Sequence, residues 1–400
     1  MNAPLPQRPV SSPAGAAWTP EIAAAVGALA ADPQHPTGLP APFYTDEAML
    51  AFERETVLAT GWTALAFGAD APRPGDLFPV DLAGLPLLLV RGRDRELRVF
   101  HNVCRHRGMK LVAAPGHAGR VIKCPYHAWC YRLDGTLSAT PHVGGPGVHE
   151  CDGFDAGNFG LMPVRSGIWH DTVFVNLDGS APALDEALAP LKTRWAAFEN
   201  APLHTEDGFG FGFDLATNWK LPIENYLESY HLPTIHPGLN RFSRLEDHYN
   251  IAGPGGIGGQ GSTVCRPPMD EQGRRLPTLA GLPKEWLEKA EYIAVFPNVM
   301  FGVHRDHLYS VIATPVAPGR TTERARIYCF SPDGLSEALK PLRKTTTDVW
   351  RGIFAEDVIP VEGMQAGRHS AAFDGGALTP VMDAPTRHYH VWLARALTAG

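Results

Sequence analysis

The chain has 400 residues, 44% hydrophobic and 19% charged, with a formal net charge of -7. That is enough apolar material for two ordinary domains, and the charge balance argues against nucleic-acid binding. No apolar run reaches the ~18 residues of a membrane span, and the opening MNAPLPQRPV lacks the charged-then-apolar pattern of a signal peptide, so a cytoplasmic location is expected.

In chain order, residues 1–40 are rich in Ala and Pro and read as a mobile arm or a packing extension with one helix, Pro20 to Ala31. Residues 41–61 form an N-terminal helical segment, because DEAMLAFERETVLAT repeats apolar residues at helical spacing from Asp46 to Thr60. Residues 62–180 carry short β-like runs, DLFPVDL, LPLLLVRG, LRVFHNV and DTVFVNL, separated by Gly, Pro and Asp turns. This is the texture of a small antiparallel β domain. Residues 181–400 open with a helix from about Ala183 to Phe198 and mix the strands EYIAVFPNVMFGV, LYSVIATPV and RARIYCF with a helix around Glu224 to Tyr230. A long helix runs from about Leu335 to Val358. The fold class is α+β.

Six cysteines (Cys104, Cys124, Cys130, Cys151, Cys265, Cys329) are too few and too irregular for a disulfide framework in a chain this long. Cysteine next to histidine therefore reads as a metal site. The segment NVCRHRGMKLVAAPGHAGRVIKCPYHAW offers Cys104 and His106, then Cys124 and His127. Two thiolates and two imidazoles suit tetrahedral zinc, or a two-iron, two-sulfur cluster with two Cys on one iron and two His on the other. The pair of short hairpin-like loops, each with one Cys and one His, favours the cluster. Cys130 reads as a buried structural thiol, and His35, His117, His248 and His369 as surface or hydrogen-bonded histidines.

A second constellation is NWKLPIENYLESYHLPTIHPGL. On a helix Glu228 and His231 share a face, while His236 would lie about 140° away until Pro233 breaks the regular geometry. Two histidines with a carboxylate make the facial triad of a non-haem iron(II) site, with positions left open for dioxygen and substrate. The plain alternative is a pair of helix-end histidines capping carbonyls.

CRHRG and CPYHAW closely resemble the Rieske loops of ring-hydroxylating oxygenases. Together with the histidine pair, the chain resembles Rieske non-haem iron oxygenase α subunits over roughly residues 40–395. Arg107, Gly108 and Met109 follow His106 without the extra Cys of cytochrome-complex Rieske proteins. The resemblance implies a [2Fe-2S] Rieske domain at 62–180, then a helix-grip catalytic domain at 181–400 with mononuclear Fe(II), on which residues 41–61 pack. It also implies O2 as co-substrate, a homotrimer or dimer of trimers, and an NAD(P)H-dependent flavin/iron–sulfur reductase as partner. No NAD or flavin site is expected in this chain.

The resemblance further assigns Glu228 as the acidic bridge that carries electrons between neighbouring subunits. Glu is one methylene longer than the Asp of aromatic dioxygenases, as in the carnitine and related quaternary-amine oxygenases. The third iron ligand falls in GIFAEDVIPVEGMQAGRHS at Asp357, with Asp348, Glu356 and Glu362 as rivals. Ala366 comes after Gln365 where the family often has Arg.

For the substrate, the strand around Val295 to Val303 puts Phe296, Asn298 and Met300 on one face and Phe301 on the other, and either face could meet the cavity. Tyr226, Tyr230, Phe296, Met300, Phe301 and Tyr309 are the candidate lining residues. ENYLESYH and CPYHAW look more like the amine-oxidising branch, which implies hydroxylation or oxidative N-demethylation of a small quaternary or tertiary amine. Aromatic-ring hydroxylation is the alternative, and an electron-transfer iron–sulfur protein without catalysis is the alternative of another class.

Overall fold

The computed structural model describes residues 18–266, 268–270 and 272–398; residues 1–17 of the expected arm lie outside them. The chain divides into two compact units, residues 64–181 and residues 18–63 with 182–398.

The first unit holds a seven-stranded sheet in the order Thr63–Phe67, Thr172–Asn176, Pro163–Trp169, Leu97–His101, Leu85–Arg91, Asp76–Leu82, Gly116–His117. A separate three-stranded sheet joins Val121–Lys123, Cys130–Arg132 and Leu137–Ala139. The apolar run LPLLLV reflects burial on both sheet faces. Leu87 and Leu89 pack with Leu65, Val99 and Val173, whereas Leu88 and Val90 pack with Phe100, Trp129 and Tyr131. Period-two alternation sends successive side chains to opposite cores, each fully buried one contributing roughly 1.5–3 kcal/mol. The second of these cores lies under the Cys/His loops.

The second unit is built on an antiparallel seven-stranded sheet in the order Gly210–Leu215, Arg320–Cys329, His307–Ala317, Val299–Val303, Ala290–Val295, Ile257–Ser262, His248–Ala252. Gly302 pairs with Tyr292 on one side and Tyr309 on the other, so these three share one face. A Cβ on Gly302 would collide with the Tyr309 ring, which lies directly over it.

Nine α-helices are found among the described residues: α1 (Pro20–Ala31), α2 (Pro42–Thr45), α3 (Glu47–Glu53), α4 (Leu184–Arg194), α5 (Lys220–Leu227), α6 (Leu232–Ile235), α7 (Lys340–Glu356), α8 (Val358–Gly367) and α9 (Ala384–Thr398). Of the two readings of residues 18–40, mobile arm and packing extension, the structure has the second: α1 lies along α9 with Val26 and Leu29 buried. α3 runs on into a wider π-turn at Arg54–Leu58. The fully buried Glu53 there meets Lys220 Nζ of α5 at 2.7 Å and accepts from Trp219 Nε1 at 3.0 Å.

Two expected helices end differently. The one around 224–230 stops at Leu227, and Glu228 is extended (φ -122°, ψ 163°). The one expected over 335–358 starts at Lys340 and breaks at Asp357, which caps both α7 and α8. No helix of the described residues is long and apolar enough to cross a membrane.

Candidate metal centres

The two Cys/His loops have the same main-chain design. Cys104 accepts from the Gly108 N–H at 3.1 Å and donates its own N–H to Met109 O at 2.8 Å. Cys124 repeats this with Ala128 (3.1 Å) and Trp129 (2.8 Å). The fourth residue after each Cys is left-handed, Gly108 at φ 74° and Ala128 at φ 59°. Glycine adopts this freely, and alanine is held there by the surrounding loop.

Both cysteines are buried, and the rings of His106 and His127 meet at a centroid distance of 4.7 Å. His106 stacks on Trp129 at 4.8 Å, and Tyr126 covers His127 at 3.7 Å. Tyr131 Oη accepts the Arg105 N–H at 3.0 Å, which leaves its own proton for Cys104 Sγ, 3.2 Å away. His127 Nδ1 is buried with no hydrogen-bond partner among the described residues. An orphaned nitrogen beside two buried thiols fits a metal group shared by both loops. Cys130 is half-buried rather than buried and donates to Ala128 O at 3.3 Å.

In the second unit His231 precedes α6 and His236 comes directly after it, with Pro233 inside its first turn. Asp357 reaches them from the α7–α8 break. One ligand atom from each of His231, His236 and Asp357 lies within 4.8 Å of the others, the one such group found among the described residues. Asp357 Oδ1 is 3.0 Å from His236 Nε2 and 3.7 Å from His231 Nε2.

The far nitrogens are held by two other carboxylates: His231 Nδ1 by Glu228 at 2.6 Å and His236 Nδ1 by Glu356 at 2.7 Å. Each carboxylate fixes the proton on Nδ1 and leaves Nε2 bare toward Asp357. Asp357 Oδ1 itself is buried and receives no hydrogen bond from the described residues. Two bare imidazole nitrogens facing an unsatisfied carboxylate oxygen fit a divalent cation.

The rival acids are placed elsewhere. Glu356 stands behind His236, Glu362 accepts the Ala216 N–H at 2.9 Å, and Asp348 pairs with Lys344 and Arg351 at the surface. Glu228 grips His231 from an extended residue, not across a helical face. Its carboxylate also accepts the N–H groups of Tyr230 and His231.

A cavity opens beside this group between the sheet and helices α5 and α7. Tyr226, Tyr292, Tyr309, Trp350 and Phe354 form its aromatic wall, and none of its lining residues is Lys or Arg. Tyr226 Oη lies 3.1 Å from Tyr309 Oη, and the Tyr309 and Trp350 rings are 4.6 Å apart. Burial pushes all three tyrosines well above the ordinary phenol range, so they remain neutral.

Of the residues expected to line a substrate cavity, Tyr226 and Tyr309 line this one. Tyr230 is corrected: it is 55% exposed, because Glu228 binds its main chain and the ring points out. Phe296 lies beyond the strand end against Tyr389 and Trp392, at 4.7 and 5.4 Å. Phe301 is on the reverse face against Trp195, sending only its carbonyl to Tyr226 Oη. Met300 is buried on the cavity-side face without lining the cavity.

Sequence reasoning missed Tyr292, Trp350, Phe354, His248 and Gln260. For two of these the signal was present: Trp350, Phe354 and Asp357 recur at four and three residues, one helical face. His248, expected to be unremarkable, lines the cavity, with Nδ1 2.6 Å from Gln260 Oε1; Gln260 in turn donates to Glu228 O at 3.0 Å.

Residues 61–150 match the family model described as the Rieske [2Fe-2S] domain, and residues 193–399 match the ring hydroxylating alpha subunit (catalytic domain). The chain belongs to the Rieske non-haem iron oxygenase family. This oxygenase is 30% identical to the carnitine monooxygenase oxygenase subunit of Escherichia coli (strain K12), over 86% of its own length and 88% of that protein. It is 35% identical to the glycine betaine monooxygenase oxygenase subunit of Chromohalobacter salexigens, over 50% of its length and 43% of that protein. A solved quaternary ammonium Rieske monooxygenase, described for carnitine oxidation by gut microbiota and inter-subunit electron transfer, matches with TM-score 0.76 and 25% identity, covering 92% and 97% of the two chains. The oxygenase therefore has two cofactors, a Rieske [2Fe-2S] cluster and a mononuclear iron, which sets aside zinc in the loops and an electron carrier without catalysis.

Proposed function

We propose that this oxygenase hydroxylates or oxidatively N-demethylates a small quaternary or tertiary amine, using O2 and electrons from an NAD(P)H-dependent flavin/iron–sulfur reductase. The observation that carries the reading is the cavity beside His231, His236 and Asp357: aromatic on several sides, edged by a carboxylate, and lined by no Lys or Arg. Aromatic faces attract a quaternary ammonium through their negative quadrupoles, and most strongly where water is excluded. The names of the carnitine and glycine betaine relatives support the same substrate class.

In this reading Cys104, His106, Cys124 and His127 hold the cluster, and His231, His236 and Asp357 hold the mononuclear iron. When bound, the two groups supply stored electrons and the activation of dioxygen. The chain supplies orientation. Glu228 and Glu356 fix the two imidazoles, and the neutral phenols of Tyr226 and Tyr309 wall the cavity without offering a competing charge.

Glu228 has a second duty as the bridge to a neighbouring subunit's cluster in a trimer or dimer of trimers. Its grip on His231 Nδ1 and the inter-subunit transfer described for the solved relative support this. None of the six cysteines is in a disulfide, which supports the cytoplasmic location of this reading.

The test is oxygen uptake by iron-loaded protein with a surrogate reductase and NAD(P)H. The panel is choline, glycine betaine, carnitine, their dimethylamine counterparts and aromatic acids. Uptake with matching formaldehyde or hydroxylated amine is expected. Uptake with aromatic acids alone overturns the proposal.

A further inference from the structure

The cavity-side face of the sheet continues past the aromatic wall to an acid that the iron centre does not use. Glu323 pairs with Ala313, and Tyr309 pairs with Ile327, so Glu323 and Tyr309 occupy the same face with their rows about 13 Å apart. The space around Glu323 is lined by Leu215, Pro222 and Val358, and shares Asn225, Tyr226, Phe354 and Asp357 with the iron cavity. It adjoins the iron cavity through these four residues, and the Tyr226 and Phe354 rings, stacked at 6.1 Å, border both spaces.

The Glu323 side chain is 5% exposed, yet none of the described residues gives it a hydrogen bond or an ion pair. A buried carboxylate in that position is costly unless something answers its charge. Burial first, and then the Asp357 carboxylate across the cleft, push Glu323 up to about 8. The ion held by Asp357 answers that acid, but no group of the protein answers this one.

We propose that Glu323 is the counter-charge for the substrate's ammonium group and so sets the preference for cationic over neutral substrates. The inference rests on the amine reading above and deepens it. A quaternary ammonium has no N–H to donate, so it needs charge and aromatic surface rather than a hydrogen-bond acceptor of fixed direction. Tyr226 and Phe354 supply the surface and Glu323, ionised when the cation is beside it, the charge. In the empty site Glu323 is mostly protonated at neutral pH; a cation beside it favours the carboxylate, the proton leaves to solvent, and Glu323 takes no part in the oxidation itself.

The test compares choline with its uncharged isostere 3,3-dimethylbutan-1-ol, by calorimetric titration of the iron-loaded protein. The wild type is expected to bind the cation at least about tenfold more tightly. Glu323→Gln should bring that ratio close to one, with iron content and the cluster's visible spectrum unchanged. A wild-type ratio retained in Glu323→Gln overturns this inference and leaves the amine reading standing. Wild-type protein that binds neither choline nor betaines overturns the amine reading itself. Should the glutamine variant not fold, Glu323→Asp draws the charge back by one methylene and must lower the ratio by a smaller factor; an unchanged ratio again overturns the inference.

Discussion

Around Cys104, His106, Cys124 and His127 the main chain does the positioning. Around His231, His236 and Asp357 side-chain carboxylates do it. In the first centre each Cys is fixed by two backbone hydrogen bonds within its own loop, and the two loops repeat one geometry. In the second, His236 is oriented by Glu356, 120 positions away in the chain, and the ligand set spans α6 and the α7–α8 break. A centre made by local backbone depends on a few residues of one segment. A centre made by long-range side chains depends on the whole second unit.

The largest effect expected from this contrast is separability. Asp357→Ala should reduce mononuclear iron from about one per chain to a trace and abolish substrate-dependent oxygen uptake, while the cluster's visible spectrum stays intact. Cys124→Ser should do the converse, removing the spectrum and keeping the mononuclear iron. Metal analysis with absorption spectroscopy reads both. A spectrum that collapses in Asp357→Ala would show that the two centres are not independent.

Next come the two carboxylates that hold the imidazoles, alike in contact and different in proposed duty. Glu356→Gln and Glu228→Gln should each weaken iron binding by about 10- to 100-fold, measured by chelator competition. With iron restored by excess, Glu356→Gln should recover most of its turnover. Glu228→Gln should remain inactive, because it also interrupts electron delivery. Equal recovery in both would remove the bridging role and leave Glu228 an orienting residue.

The smallest effect is at the cluster. Tyr131→Phe removes the hydroxyl that faces Cys104 Sγ and should lower the cluster's midpoint potential by on the order of 50 mV, equivalent to about 1 kcal/mol for one electron. Protein-film voltammetry measures it directly. An unchanged potential would mean that the hydroxyl's proton does not reach the sulfur.

The same contrast explains how much could be read from the sequence. The Cys/His loops were legible because their determinants are contiguous, each a short hairpin-like run with one Cys and one His. The histidine pair was legible as residue types, but its geometry was not: a helix was expected through Glu228, where the backbone is extended. Asp357 stood among four acids because helical spacing cannot say which of two adjacent carboxylates meets a ligand group arriving from elsewhere.

On the strand Val299–Val303, alternation separates Met300 from Phe301 but does not reveal which side the helices cover. Phe301 consequently faces Trp195 and not the cavity. Glu323 and Tyr292 join the cleft only through sheet register, which no local pattern records.

The neighbouring acids Glu356 and Asp357 have a consequence for how this helix can change. They divide their duties across one peptide bond, Glu356 on His236 Nδ1 and Asp357 facing the Nε2 atoms. Removing or adding one residue between Phe354 and Glu356 would rotate the rest of the helix by about 100°. That would exchange or scatter the two acids while Trp350 and Phe354 stayed with the wall. Surface loops of this oxygenase can gain or lose residues, but α7 acts as a gauge, and its length is part of the metal site.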